Sequence, residues 1–503
     1  MEKYFLDYDW TVMAPELIIL AAAALLSVID LLLKEGGNRR LLGWISLAAV
    51  IGAGVVAAQQ LGDPAYEILS DTYRVDDFAR VFKLILLAGT GLILLGSFRE
   101  MDREGKEARG EYIYLLLAAL LGGMMLTSSA DLITLFVGLE LLSLASYILA
   151  GIRRKRTDSN EAAWKYVVMG GVSSAFILYG MSFVYGLTGT TNLYTAQQRL
   201  FEAYNSGYEP FVLLSLFLML LGFAFKAASA PFHMWAPDVY QGAATPVTSF
   251  LAVVSKAAAF SLILRVLLGT YLFLLQAGPW QELVAPALLV IAAASMVIGN
   301  TAALRQTRTK RMMAYSSVAH AGYMLVPLAA VAGAMLFEST IYYLIAYLFM
   351  TLGAFTVLMV VERETGNEHL ASFAGLSRRS PLAAAAMTVF LVSLAGIPIT
   401  AGFFGKFYIL IHAVTAREFW IAAVMLVTTV VSYFYYFGVI RMMYFRPPSD
   451  GKKVPIPAGA AVVILISLAG TLLLGFLPQW TLDFLGQMDW MSTLSPVRDT
   501  LGQ

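Results

Sequence analysis

Four charged residues stand in the middle of long apolar stretches. Glu140 lies in Leu135-Phe-Val-Gly-Leu-Glu140-Leu-Leu, Lys226 in Gly222-Phe-Ala-Phe-Lys226-Ala-Ala, Lys256 in Val253-Val-Ser-Lys256-Ala-Ala and Lys406 in Gly402-Phe-Phe-Gly-Lys406-Phe. A charge within a membrane-length apolar run costs several kcal/mol and points to function by default. The chemistry such residues suit is proton transfer. Desolvation favours a neutral lysine and a nearby carboxylate favours a charged one, so moving the carboxylate makes the lysine bind or release a proton. Several lysines in series, entered past a glutamate, form a proton relay. His320, in Ser316-Ser-Val-Ala-His320-Ala-Gly, suits the same task, and a hydrogen-bonded structural histidine fits equally. His233 and Asp238 serve a local turn as readily as a proton. Arg265 and Lys83, read as lying near span ends, are expected to snorkel. Glu16 and Asp30, at opposite ends of the first span, are expected at an interface or subunit contact.

Other chemistries lack their residues. There is no Gly-rich phosphate loop, no hydrolytic triad and no metal-ligand cluster. Zero Cys removes disulfides, thiolate nucleophiles and Cys-ligated iron–sulfur clusters, and four His (His233, His320, His369, His412) are poor material for a haem or a His-rich metal site. The expectation is that this chain binds no cofactor or metal and carries no redox centre. A net charge of +1, from 34 Lys+Arg against 33 Asp+Glu, leaves no basic stripe for nucleic acid.

The elements that position these residues follow from composition. Of 503 residues, 59% are hydrophobic and 13% charged, too little polar surface to coat a water-facing globule. The chain is expected to be an all-α polytopic membrane protein. Counting runs of about 20 apolar residues gives fourteen spans. They lie near 12–33, 41–60, 78–98, 111–128, 131–151, 163–187, 211–243, 246–272, 281–303, 311–330, 337–361, 381–412, 418–443 and 456–477. The first run is too long for a signal peptide and lacks its basic flank, so it is expected to stay as a helix. Loops after odd-numbered spans hold Lys34, Arg39 and Arg40; Arg99, Arg103, Lys106 and Arg109; Arg153, Arg154, Lys155 and Arg156; and comparable groups later. Loops after even-numbered spans hold little beyond Arg74, Arg199 and Arg417. The Lys/Arg excess marks the cytoplasmic side, so both termini are expected on the other side.

Spans seven and twelve are too long for one crossing, and each contains helix breakers: Pro231 and Pro237, then Gly396, Pro398 and Gly402. Pro231 and Pro398 fall at nearly the same distance into two five-span units. Five is odd, so the units run with opposite topology, the inverted-repeat plan of ion-translocating transporters. The expected organisation is an N-terminal three-helix segment (1–110), a first inverted repeat (111–273, spans four to eight), a second (281–444, spans nine to thirteen), and a C-terminal helix and tail (445–503).

At this point the residues resemble a known family. Phe225-Lys226-Ala-Ala-Ser-Ala-Pro231-Phe-His233-Met-Trp235-Ala-Pro237-Asp238-Val-Tyr-Gln-Gly242-Ala-Ala-Thr245-Pro246-Val is similar to the signature of the antiporter-like membrane subunits of respiratory complex I and of multisubunit cation/proton antiporters. Tyr315-Ser-Ser-Val-Ala-His320-Ala-Gly-Tyr323 and Gly396-Ile-Pro398 with Gly402-Phe-Phe-Gly-Lys406-Phe match the same group. Ala244, where the family usually has proline, departs from it and is expected to alter only a loop. Ala14-Pro-Glu16-Leu-Ile-Ile-Leu with Asp30, and Val75-Asp-Asp77-Phe-Ala-Arg-Val-Phe-Lys83, resemble the N-type complex I subunits. So does a chain that ends after span fourteen without a long lateral helix, while lysine at 406 differs from the M-type.

The resemblance implies that Glu140 and Lys226 act as a coupled ion pair, Lys256 as the central relay and Lys406 as the exit-side lysine. It implies a bacterial inner or plasma membrane location and, as partners, the bilayer and the other membrane subunits of complex I. The whole complex would use NADH and quinone. A subunit of a Na+/H+ antiporter complex is the alternative, and a purely structural scaffold is hard to reconcile with four mid-membrane charges.

Overall fold

Membrane-length apolar runs fold as helices because lipid offers the backbone no hydrogen-bond partner, so each run satisfies its own. The computed structural model describes residues 8–33, 39–100, 106–330, 335–448 and 452–493. Lys34, Arg103 and both chain ends lie outside these residues, and the side chain of Lys106 is likewise not described.

The order is α1 (Ala14–Leu32), α2 (Arg40–Gln59), a hairpin of β1 (Tyr66–Ile68) and β2 (Tyr73–Val75), α3 (Asp77–Ser97), α4 (Lys106–Ser128) and α5 (Leu132–Ala150). Then come α6 (Thr157–Thr188), α7 (Leu193–Ala203), α8 (Glu209–Lys226), α9 (Trp235–Gly242), α10 (Thr245–Phe250) and α11 (Lys256–Thr270). The rest are α12 (Leu274–Ala277), α13 (Ala285–Ala303), α14 (Thr309–Ala329), α15 (Leu336–Thr365), α16 (Leu376–Arg379), α17 (Pro381–Ala395), α18 (Ala401–Thr415), α19 (Phe419–Phe445), α20 (Ala458–Phe476) and α21 (Pro478–Leu485). Among the described residues, 12 helices are long and apolar enough to cross a bilayer. The fourteen expected from sequence also include α14, diluted by polar residues, and the α17–α18 pair taken as one broken span.

Two of the helix starts that matter here are set by short polar caps. Asp131 accepts from the Ile133 and Thr134 amides at 2.8 and 3.1 Å to open α5, and Asp76 accepts from the Ala79 amide at 2.8 Å to open α3. Two breaks fall where the sequence put them, between α8 and α9 and between α17 and α18. A third irregularity was not expected. The run 246–272, read as one regular helix, contains a π-helical turn at Leu251–Ser255, directly before Lys256. The hairpin and the amphipathic α7 were also missed, because neither is a long apolar run.

Two isolated backbone bridges tie loops in the same manner. Asp131 pairs with Asn192, and Arg308 with His369. In each case the loop before one helix is joined to the loop after the next. Each bridge is flanked by two hydrogen bonds: Leu132 N to Thr191 O and Leu193 N to Ala130 O at 2.8 and 2.9 Å, then Thr309 N to Glu368 O and Leu370 N to Thr307 O at 2.8 and 2.9 Å. The stretch α10–α11 and helix α15 are buried on nearly all sides, whereas α1, α6 and α19 turn apolar side chains outward.

Candidate functional site

Helix α8 ends at Lys226, and the chain crosses to α9 through residues 227–234. The break is held by groups that take over the orphaned backbone. Trp235 Nε1 donates to Phe225 O at 3.0 Å, and the Ala230 amide donates to Ser295 Oγ at 2.8 Å. Lys226 Nζ reaches α5, donating to Ser143 Oγ at 2.7 Å and to Tyr147 OH at 3.5 Å. Glu140, on the same face of α5, accepts instead from Ser174 Oγ of α6 at 2.5 Å. The structure therefore places Glu140 and Lys226 on neighbouring elements but not in the direct ion pair expected from sequence. Serines one turn along α5 and across on α6 take both charged ends.

The other residues of this break are tied outward. Asp238 of α9 accepts from Lys165 of α6 at 2.6 Å and from Arg311 of α14, so it fastens the second half-helix to its neighbours. His233 is half-buried beside Tyr315, with ring centroids 6.2 Å apart.

Lys256 follows the π turn and is buried. Its ammonium donates to Ser317 O of α14 at 2.5 Å and lies 5.7 Å from the centre of the Tyr347 ring. One turn beyond Ser317, His320 has both ring nitrogens against phenols, Nδ1 at 2.5 Å from Tyr343 OH and Nε2 at 3.2 Å from Tyr436 OH. The Tyr347 ring is also 5.2 Å from the His320 ring, and Tyr323 is 5.8 Å from it on another side.

Lys406 crosses the second break. Its Nζ donates to Leu394 O and Ala395 O, at 3.0 and 3.2 Å, the last carbonyls of α17. A cation at a helix C-terminus meets the negative end of the dipole and carbonyls that have no helical partner. Gly396 makes this approach possible. It has φ of 84°, and a Cβ there would meet Lys406 Cδ at 3.0 Å. The Lys406 ammonium lies 4.8 Å from the centre of the Tyr323 ring.

Tyr347 thus touches both Lys256 and His320, and Tyr323 touches both His320 and Lys406. On the other flank, Tyr147 packs edge-on against Tyr166 at 4.6 Å, Tyr166 stacks on Trp235 at 4.5 Å, and Tyr240 OH lies 3.4 Å from Ser317 Oγ. The five residues singled out from sequence are strung along one buried aromatic and hydroxyl seam. Trp235, Tyr240 and Tyr323 already stood in quoted motifs, but Tyr147, Tyr166, Tyr343, Tyr347 and Tyr436 were missed. Their signal was a set of tyrosines in mid-span, with Tyr343 and Tyr347 one helical turn apart.

The expectations for Lys83, Arg265, Glu16 and Asp30 need correction. Lys83 does not snorkel: it is 0% exposed and pairs with Glu16 at 2.7 Å. Arg265 does not snorkel either. At 0% exposed, it donates to both carboxylate oxygens of Asp76 at 2.5 and 2.9 Å, and to Thr127 O at 2.6 Å. In each case an inward carboxylate removes the need to reach water. Glu16 is therefore an internal partner rather than a surface contact, and Asp30 pairs with Arg39 at 2.6 Å within the chain. Among the described residues, no group of three or more His, Asp or Glu side chains is arranged to hold a metal ion.

Membrane-length helices, two of them interrupted, with buried cations seated on serines and carbonyls at the interruptions, define an ion-translocating class of membrane protein. The chain belongs to the family described as NADH:quinone oxidoreductase/Mrp antiporter, TM, which matches residues 129–432. It is 47% identical to the NADH-quinone oxidoreductase subunit N of Brevibacillus brevis, over 98% of this chain and 99% of the relative. It is 39% identical to the subunit N of Trichlorobacter lovleyi, over 96% and 98%. A chain of respiratory complex I from Thermus thermophilus superposes with a TM-score of 0.79 at 33% identity, covering 94% of this chain and 100% of that one. A chain of the Mrp complex from Dietzia superposes with a TM-score of 0.81 at 22% identity, covering 96% of this chain and 98% of that one, a likeness of fold alone.

Proposed function

We propose that this chain is the proton-translocating subunit N of a bacterial NADH-quinone oxidoreductase in the plasma membrane. It relays protons through Lys226, Lys256, His320 and Lys406, with Glu140 setting the charge state of Lys226. The observation that carries this reading is the continuous contact Lys256–Tyr347–His320–Tyr323–Lys406, ending on the bared carbonyls of α17. A lysine held by neutral dipoles, rather than by a carboxylate, can lose its proton without leaving an unpaired anion behind. Redox chemistry on NADH and quinone then belongs to partner subunits, and this chain holds no redox centre. The matched helix breaks and the two equivalent loop bridges support two inverted repeats, 111–273 and 281–444.

The test uses the purified complex in proteoliposomes. Lys256→Met is expected to leave the complex assembled while proton uptake driven by NADH oxidation falls at least about tenfold, a barrier change of ~1.4 kcal/mol. Wild-type pumping in the assembled variant removes Lys256 from the relay. The alternative, a subunit of a Na+/H+ antiporter, has the shared family description in its favour. It predicts purification without flavin- and iron–sulfur-bearing partners.

Orientation is checked separately. The Lys/Arg distribution puts residues 153–156 in the cytoplasm and both termini outside. A cysteine at the exposed Lys155 of this Cys-free chain is expected to resist an impermeant thiol reagent added to intact cells, while one at the exposed Ser206 is labelled. The reverse pattern inverts the topology.

A further inference from the structure

Ser339, Tyr343 and Tyr347 follow one another at four-residue steps along α15, and residues four apart share a helix face. Tyr347 and Tyr343 belong to the seam and lie against His320. Ser339 continues the row beyond them. Its Oγ lies 2.9 Å from Nε2 of His412, on α18. The two helices are in close contact here, since a Cβ on Gly405 of α18 would collide with the Tyr343 ring. His412 is buried, and the relay through Lys256, His320 and Lys406 makes no use of it.

Ser339 stands in the first turn of α15 and His412 in the last turn of α18. Both helix ends fall on the side that the Lys/Arg distribution assigns to the exterior, and the charged Arg417 and Glu418 follow directly after α18. The row therefore runs from His320, midway along α14, to within about a turn of the helix ends.

The surroundings of His412 suit both of its protonation states. Nε2 has two oxygens in reach, Ser339 Oγ at 2.9 Å and Met335 O at 3.2 Å. Without a proton, Nε2 accepts from the Ser339 hydroxyl. With a proton, it donates to Met335 O, and the hydroxyl can turn to Leu336 O, 3.3 Å away. A hydroxyl both donates and accepts, whereas a carbonyl only accepts, so this pair of oxygens serves either form of the ring. Histidine is also the side chain whose ordinary titration falls closest to neutral pH.

We propose that Ser339 and His412 form the outer end of the proton path, with His412 delivering the proton to the exterior. The proposal rests on the reading of Lys256, His320 and Lys406 as a relay. Ser339 gives its hydroxyl proton to Nε2 of the neutral ring and is reprotonated from the side of Tyr343. Side chains one turn apart have Cβ atoms about 5–6 Å from each other, a step that a bridging water closes. The imidazolium then releases the proton on Nδ1 outward, and rotation of the ring restores the starting tautomer. One proton enters and one leaves, with no other bond changed.

The experiment compares His412→Gln with His412→Glu in the whole complex in proteoliposomes. Proton uptake driven by NADH oxidation is the readout, and the yield of intact complex is the control. The two replacements have nearly the same shape, and only glutamate takes up and releases a proton. His412→Gln is expected to pump about tenfold more slowly than wild type, and His412→Glu to pump at least about threefold faster than His412→Gln. Equal pumping by the two variants, at any level, makes His412 a packing residue and overturns the proposal. Ser339→Ala removes a single oxygen and is expected to assemble and to lose pumping several-fold. Wild-type pumping in Ser339→Ala overturns the proposal, and this variant decides the matter where a His412 variant fails to assemble. Lys256→Met, measured alongside, separates the two readings. Lost pumping there with wild-type pumping in His412→Gln removes the outlet and leaves the relay, whereas wild-type pumping in Lys256→Met removes the relay and the outlet with it.

Discussion

The ion pairs made by the N-terminal residues Asp76 and Glu16 and the central seam bury charge in opposite ways. Arg265 and Lys83 each touch a carboxylate, Asp76 at 2.5 Å and Glu16 at 2.7 Å. Lys226, Lys256 and Lys406 touch none: their partners are Ser143 Oγ, Ser317 O, and the carbonyls of Leu394 and Ala395. A lysine or arginine in contact with a buried carboxylate is locked, because losing the proton would strand an anion in low dielectric. A lysine on neutral dipoles is stable in either charge state within a modest energy, as proton exchange requires. Location in the membrane is therefore a poor guide to function. The chemistry of the contacting atom discriminates better.

The largest effect should come from breaking the locked pair. Asp76→Ala leaves Arg265 buried and unpaired, which costs about 3–5 kcal/mol, and removes the cap of α3 as well. Little or no assembled complex is expected, measured as the yield of intact complex. Assembly at the wild-type level would mean that Arg265 is not locked.

Next in size is Lys406→Arg. It preserves the charge and the bonds to the α17 carbonyls but cannot give up its proton. Unfolding stability should stay within about 1 kcal/mol of wild type, while pumping falls about tenfold or more, a change of ~1.4 kcal/mol in barrier. If pumping survives with the arginine, Lys406 is only a helix cap.

Glu140→Gln should act more mildly. Without direct contact, the Glu140–Lys226 attraction is below the roughly 4 kcal/mol of a pair at about 4 Å in an effective dielectric near 20. A several-fold loss of pumping is expected, with part of it retained in Glu140→Asp. Restored folding without restored pumping is expected for Glu140→Gln with Lys226→Met. Full pumping in that double variant argues for a structural pair.

The smallest effect is expected where both locked partners go together. Glu16→Leu with Lys83→Leu replaces a buried pair by apolar groups of similar size, so stability should change by about 1 kcal/mol or less and pumping should be unaltered. A selective loss of pumping with intact Tm would move this pair into the relay.

The class of the molecule, its spans and its central charges were legible in one dimension. A membrane-length apolar run needs no partner to be recognised, and a charge inside it, like Lys256, is conspicuous wherever it points. Helix breakers such as Pro231 and Gly396 likewise act locally. The π turn before Lys256 was not legible, since Leu251-Ala-Val-Val-Ser255 contains neither proline nor glycine. Nor were the small elements, the hairpin and α7, which carry too few apolar residues to register as spans.

Partnership was decided by packing alone. Arg265 looked like a snorkelling residue because its distance to a span end can be counted, whereas Asp76, 189 positions away, cannot be seen from there. Glu140 and Lys226 were expected as a coupled ion pair, yet which of them touches Ser143 depends on how α5, α6 and α8 are rotated against one another. Sequence determined where charge is buried, because the cost of burial is set by the residue and its immediate apolar neighbours. Tertiary structure determined whether that charge is locked or free to exchange a proton, because an electrostatic contact falls off with distance and takes its partner from any helix that packing brings within reach.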